Sequence, residues 1–108
     1  MADVAVAEDF YFDGRRVDQQ FDISGRGLNE VVLRAHQLKG QTLVTLINFD
    51  SAATAQLVVK FTKPAVAVYK VTSPTGFACP PKLPPQGLKV QLEPLSRQLL
   101  ILSPASGG

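Results

Sequence analysis

Gln41-Thr-Leu-Val-Thr-Leu-Ile-Asn-Phe49 is rich in β-branched and long apolar residues, and how it is read decides the fold. Four more stretches of the same kind follow it: Gln56-Leu-Val-Val-Lys-Phe-Thr62, Ala65-Val-Ala-Val-Tyr-Lys-Val71, Leu88-Lys-Val-Gln-Leu-Glu93 and Arg97-Gln-Leu-Leu-Ile-Leu102. Short Gly, Pro, Ser and Asp runs separate them. Such a chain buries a core only by pairing strands and stacking two sheets. In Gln56 to Thr62 and in Leu88 to Glu93, apolar and polar residues alternate, so each strand has one buried and one wet face. Leu99-Leu-Ile-Leu102 reads as a more fully buried last strand. The expected fold is therefore all-β: an immunoglobulin-like antiparallel sandwich of seven or eight strands, with the faces of Leu43, Val59, Val68, Val90 and Ile101 in its core.

Upstream, Val31-Val-Leu-Arg-Ala-His-Gln-Leu38 reads as a strand joined by Lys39-Gly40 to the one at Gln41. Leu28, Val31, Val32, Ala35 and Leu38 also fit a helical period, but the short Gly turn into a clear strand favours β. Ser24-Gly-Arg-Gly27 reads as a flexible loop. Arg15 to Ile23 suggests a short strand through Val17, Phe21 and Ile23. Phe10-Tyr-Phe12 suggests another, closed by the Asp13-Gly14 turn. On that strand Phe10 and Phe12 enter the core and Tyr11 faces out. Ser73 to Gly87 carries five of the chain's eight prolines, which lack the donor a ladder needs, and reads as a long, stiff loop.

The 108 residues make about one domain by the usual length prior, with residues 1–9 and 103–108 expected to be loose. The Ser103-Pro-Ala-Ser-Gly-Gly108 end resembles a linker stub, as in a piece of a larger secreted protein. No signal peptide is visible in Met1 to Asp9, and no apolar run is long enough for a spanning helix, so no membrane partner is expected. A net charge of +2, with only Arg15 and Arg16 adjacent among the cations, does not suggest a nucleic-acid partner.

Catalytic chemistry finds few parts. Cys79 is the one cysteine and His36 the one histidine, so a zinc site has no ligand set and an internal disulfide no second half. Cys79, followed by two prolines, reads as an inert loop thiol. The carboxylates between Glu8 and Asp22 read as charged turns that protect short edge strands. No cofactor and no enzymatic activity are expected. Binding would rest on exposed aromatics, because the apolar faces of sugar rings stack on them. Tyr11 and Tyr69 are the candidates, with Asp13, Arg15 and Arg16 beside Tyr11 to bond hydroxyls.

From Gly40 onward a resemblance adds to this reading. Leu43-Val-Thr-Leu-Ile-Asn-Phe-Asp50 resembles the Leu-Val-x-Leu-Ile-Asn-Phe strand that opens the C-terminal β-sandwich of many glycoside hydrolases. Leu88-Lys-Val-Gln-Leu-Glu-Pro-Leu95 and Gln98-Leu-Leu-Ile-Leu102 are similar to that family's Val-x-Leu-x-Pro and final strands. The resemblance covers the last two thirds of the chain. It implies a non-catalytic accessory domain beside a catalytic domain of a parent enzyme, which in some members touches polysaccharide or oligosaccharide. The other reading is an immunoglobulin-like protein-interaction domain using an edge strand or the proline-rich loop.

Overall fold

The computed structural model describes residues 2–62, 69–73 and 87–104. They form one helix, α1 (Ala2–Asp13), and eight strands: β1 (Arg15–Arg16), β2 (Phe21–Arg26), β3 (Val31–Leu38), β4 (Gln41–Asn48), β5 (Ala55–Phe61), β6 (Tyr69–Thr72), β7 (Leu88–Leu92) and β8 (Arg97–Pro104). The strands build two sheets, ordered β1-β3-β4-β8-β6 and β2-β5-β7. Every pairing is antiparallel. The all-β sandwich expected from the sequence is present. Residues 63–68, with Val68, and the proline-rich stretch 74–86, with Cys79, lie outside the described residues.

The β3–β4 hairpin closes as the Lys39-Gly40 signal predicts. Leu38 faces Gln41 across a two-residue turn, with Lys39 at φ 52° and Gly40 at φ 80°. Two consecutive positive φ values give the turn the twist that matches its strands, and glycine adopts them without strain. The other glycine loop is no loop. Ser24, Gly25 and Arg26 continue β2, paired with Val58, Leu57 and Gln56. Gly25 stands at φ 137°, so close to β5 that a Cβ would sit 2.1 Å from the Gln56 carbonyl oxygen.

Arg15 to Ile23 is not one strand. β1 belongs to the large sheet and β2 to the small one, and a short 3-10 turn at Asp18–Gln20 carries the chain between them. Val17 turns into the core at that crossing, and Phe21 stacks on Phe61 with ring centroids 4.8 Å apart. The inter-sheet core takes Ala35, Val44, Leu46, Val71, Leu100 and Leu102 from the large sheet. Against them pack Leu57 and Val59 of β5 and Leu88, Val90 and Leu92 of β7. Each Val or Leu among them contributes about 1.5–3 kcal/mol on full burial.

Leu43 and Ile101 do not point into that core, contrary to expectation. They lie on the outer face of the large sheet with Leu99, Leu38 and Phe10. Thus β4 and β8 are buried on both faces, and the layer covering the second is α1. This corrects the reading of Phe10-Tyr-Phe12 as a strand: these residues form the last turn of a helix. Phe10 is buried, whereas Phe12 is 82% exposed. Residues 2–9 belong to α1, and Ser103 and Pro104 pair with β6. No helix among the described residues is long and apolar enough to cross a membrane.

Candidate functional site

Four of the five residues singled out in the sequence meet at one corner, where α1 ends and β1 begins. Tyr11 lies edge-on to the His36 ring, centroids 5.1 Å apart, and its hydroxyl is 2.9 Å from Thr45 Oγ1. Arg15 donates to Gln37 Oε1. Arg16 forms a forked ion pair with Asp18. Asp13 is exposed at the helix end. Tyr69 belongs to β6, the edge of the large sheet opposite β1, so four strand spacings, about 19 Å, separate its strand from that of Arg15 and Arg16.

The corner is braced from within. Asp18 Oδ1 accepts the Ala35 amide at 2.6 Å, beside the bond from the Val17 amide to the Ala35 carbonyl. The carboxylate thus takes over the edge of β3 where β1 leaves it. Its bond to Arg16 comes first, and with the Ala35 amide it holds the Asp18 carboxyl below its ordinary value. His36 is buried with Nδ1 lacking a partner among the described residues. Burial lowers its pKa; Arg16 and Arg34 act the same way, and Asp18 opposes them. Tyr11, Arg15 and Arg16 therefore direct polar groups at neighbours, leaving Asp13 the freest polar group of the four.

A different surface carries unused hydrogen-bonding capacity. The outer face of the small sheet is open to solvent, and cross-strand register sets Arg26, Gln56 and Gln91 in one row across it. Lys89 stands two register pairs further along on the same face, opposite Val58. These residues line a shallow groove of about 530 Å³. Gln91 Nε2 donates to Glu93 at 2.9 Å, fixing that amide at one end of the row. The signal for this row in the sequence is the polar positions of the alternating strands, Gln56 in β5 and Lys89 and Gln91 in β7.

Two more features complete the surface. Phe49 and Leu95, 56% and 68% exposed, flank a hollow of about 280 Å³ beside Ile47 and Arg97. Asn48, fully buried, donates through Nδ2 to the carbonyls of Ala53, Leu92 and Glu93 and accepts the Asp50 amide on Oδ1. It ties the large sheet to β7 of the small one. Among the described residues, no group of three or more His, Cys, Asp or Glu side chains is arranged to hold a metal. No family model, curated protein or solved structure matches the chain.

Proposed function

We propose that this chain is a non-catalytic, carbohydrate-associated accessory module, of the kind its resemblance to the C-terminal β-sandwich of glycoside hydrolases implies. The observation that carries the reading is the row of Arg26, Gln56 and Gln91 on an open sheet face. Amide side chains both donate and accept, so a row of them suits the hydroxyls of an extended sugar chain. The face is shallow and lacks deep enclosure, which favours weak binding along a polymer over tight capture of a small molecule. A catalytic domain of a parent enzyme is the neighbour such a module would serve.

Affinity electrophoresis against a panel of soluble polysaccharides tests this reading. Retardation by at least one glycan, weakened when Gln56 and Gln91 are both changed to Ala, is the expected result. If no glycan retards the protein, glycan binding is withdrawn and a structural role alone remains.

The exposed Phe49 and Leu95 favour a second reading, an immunoglobulin-like protein-interaction domain. Leu95 has φ 55° and stays outside the core, which is unusual for a large apolar residue. Concentration-dependent sedimentation that Leu95→Lys abolishes would support it over the glycan reading.

A further inference from the structure

We infer that the open face of the small sheet takes an acidic glycan, a polymer of uronic-acid sugars laid across β2, β5 and β7. The inference rests on the glycan reading and adds the charge class of the ligand. Arg26 and Lys89 both line the groove, and no carboxylate lines it with them. Neither cation pairs with an acid among the described residues, unlike Arg16, which pairs with Asp18. Glu93, beyond Gln91 on β7, keeps its charge while accepting from Gln91 and Thr54, but like Asp22 on β2 it stands outside the lining of the groove. Within the groove the two cations stand without a carboxylate.

Geometry sets what they reach. Arg26 and Lys89 stand on the two outer strands of the sheet, about 10 Å apart across it, and two register pairs, about 7 Å, apart along it. Gln56 and outward-facing Val58 lie between them on β5. A compact anion meets one cation at a time, whereas a chain with a carboxylate on successive sugars meets both. Chemistry argues the same way. No aromatic is among the described residues lining the groove, so ring stacking supplies nothing there. Neutral hydrogen bonds on an open surface contribute little net, because water competes for each of them. Charge-assisted bonds are about twice as strong, and a guanidinium matches a carboxylate with two parallel bonds. On this face, affinity and selectivity both come from the carboxylates.

The test is affinity electrophoresis of the full chain in gels containing polygalacturonate, its methyl ester, or a neutral glucan, at low and at moderate salt. Retardation by polygalacturonate, weaker with the methyl ester and falling as salt rises, is expected. Arg26→Gln and Lys89→Gln should each weaken it about three- to tenfold, consistent with one exposed charge-assisted contact apiece. Lys39→Gln, in the β3–β4 turn, should leave it unchanged. Far-ultraviolet dichroism confirms that these exposed changes keep the fold. Equal retardation by the methyl ester or the glucan would overturn the acidic class and leave the glycan reading standing. No retardation by any glycan would overturn both. Equal retardation by double-stranded DNA, or an equal loss in Lys39→Gln, would show attraction of any polyanion and would also overturn the inference.

Discussion

The Tyr11 hydroxyl and Oγ1 of Thr45 lie 2.9 Å apart, tying the last turn of α1 to the middle of β4. One turn of α1 thus fastens the helix through a polar contact and through Phe10, which is buried on Leu43 and Leu99. Asp13 sits at the C-terminal end of the helix, whose last turn has no basic residue, so the helix dipole opposes it. A 12-residue helix is marginal alone in water. Phe10→Ala should cost about 3–5 kcal/mol and remove the helical dichroism together with the anchor. Tyr11→Phe keeps the ring on His36 and should cost only about 0.5–1 kcal/mol in urea unfolding. If Phe10→Ala keeps its helical signal, the packing of α1 on β4 and β8 is not what orders it.

Asn48 governs the other end of the sandwich. Its amide serves three carbonyls from two segments, and its oxygen takes the Asp50 amide, all without solvent exposure. Truncation strands several buried polar groups at once. Asn48→Ala should destabilise the fold by about 2–4 kcal/mol, at the upper end for a single change that removes a buried network. Asn48→Asp keeps the shape but turns a second oxygen toward the carbonyls, so it should be no better than Ala at neutral pH. Urea midpoints at constant slope measure both.

The strands of the second half were legible because alternation in Gln56 to Thr62 and Leu88 to Glu93 separates a wet face from a buried one. The same logic also contained the missing layer. Leu43 and Ile47 flank Val44 and Leu46 and point to the other face, and a strand apolar on both sides needs a cover on both sides. Ala2, Ala5 and Ala7, the best helix formers, preceded the aromatic triplet and could have named that cover. Three aromatics in a row favour β locally, and tertiary packing overrides that preference. At the site, strand alternation would turn Tyr11 outward, whereas the helix carries its ring over His36. Asn48 lay inside the most informative stretch without disclosing its bonds, which depend on where β7 arrives.

Gly25 and Gly40 separate conformational strain from steric contact. Both have φ values that side chains rarely adopt, yet a Cβ at Gly40 meets nothing within 4 Å, while one at Gly25 would strike the β5 backbone at Gln56 and Leu57. Gly40→Ala should cost about 1–2 kcal/mol from strain alone. Gly40→Asn should recover part of that, because Asn tolerates the left-handed region. Gly25→Ala adds the collision and must push β2 away from β5, so it should lower thermal stability well beyond Gly40→Ala. It should also weaken any glycan binding that depends on the spacing of Arg26 and Gln56. Equal melting temperatures for the two variants would mean that β2 does not approach β5 this closely.

Acid should unfold the protein in two stages set by neighbouring groups. His36 has a folded pKa below its ordinary value, so the unfolded chain takes up its proton first. The stability this confers is whole above about pH 6.5 and is lost as pH falls from there toward the folded pKa. The groups acting on the ring have the signs this requires: Arg16 and Arg34 repel an imidazolium, and Asp18 only partly offsets them. Asp18 and Asp50 are depressed carboxyls, the first by Arg16 and the Ala35 amide, the second by the amides of Ala52 and Ala53. Their contribution is present above about pH 3.9 and disappears as pH drops through their folded values. His36→Gln should therefore flatten the upper limb of a melting-temperature profile and leave the lower limb in place. Asp18→Asn should shrink the lower limb without abolishing it, because Asp50 still titrates. A profile for His36→Gln that keeps the full decline between pH 6.5 and 5 would assign that limb to another group, since this chain has no second histidine.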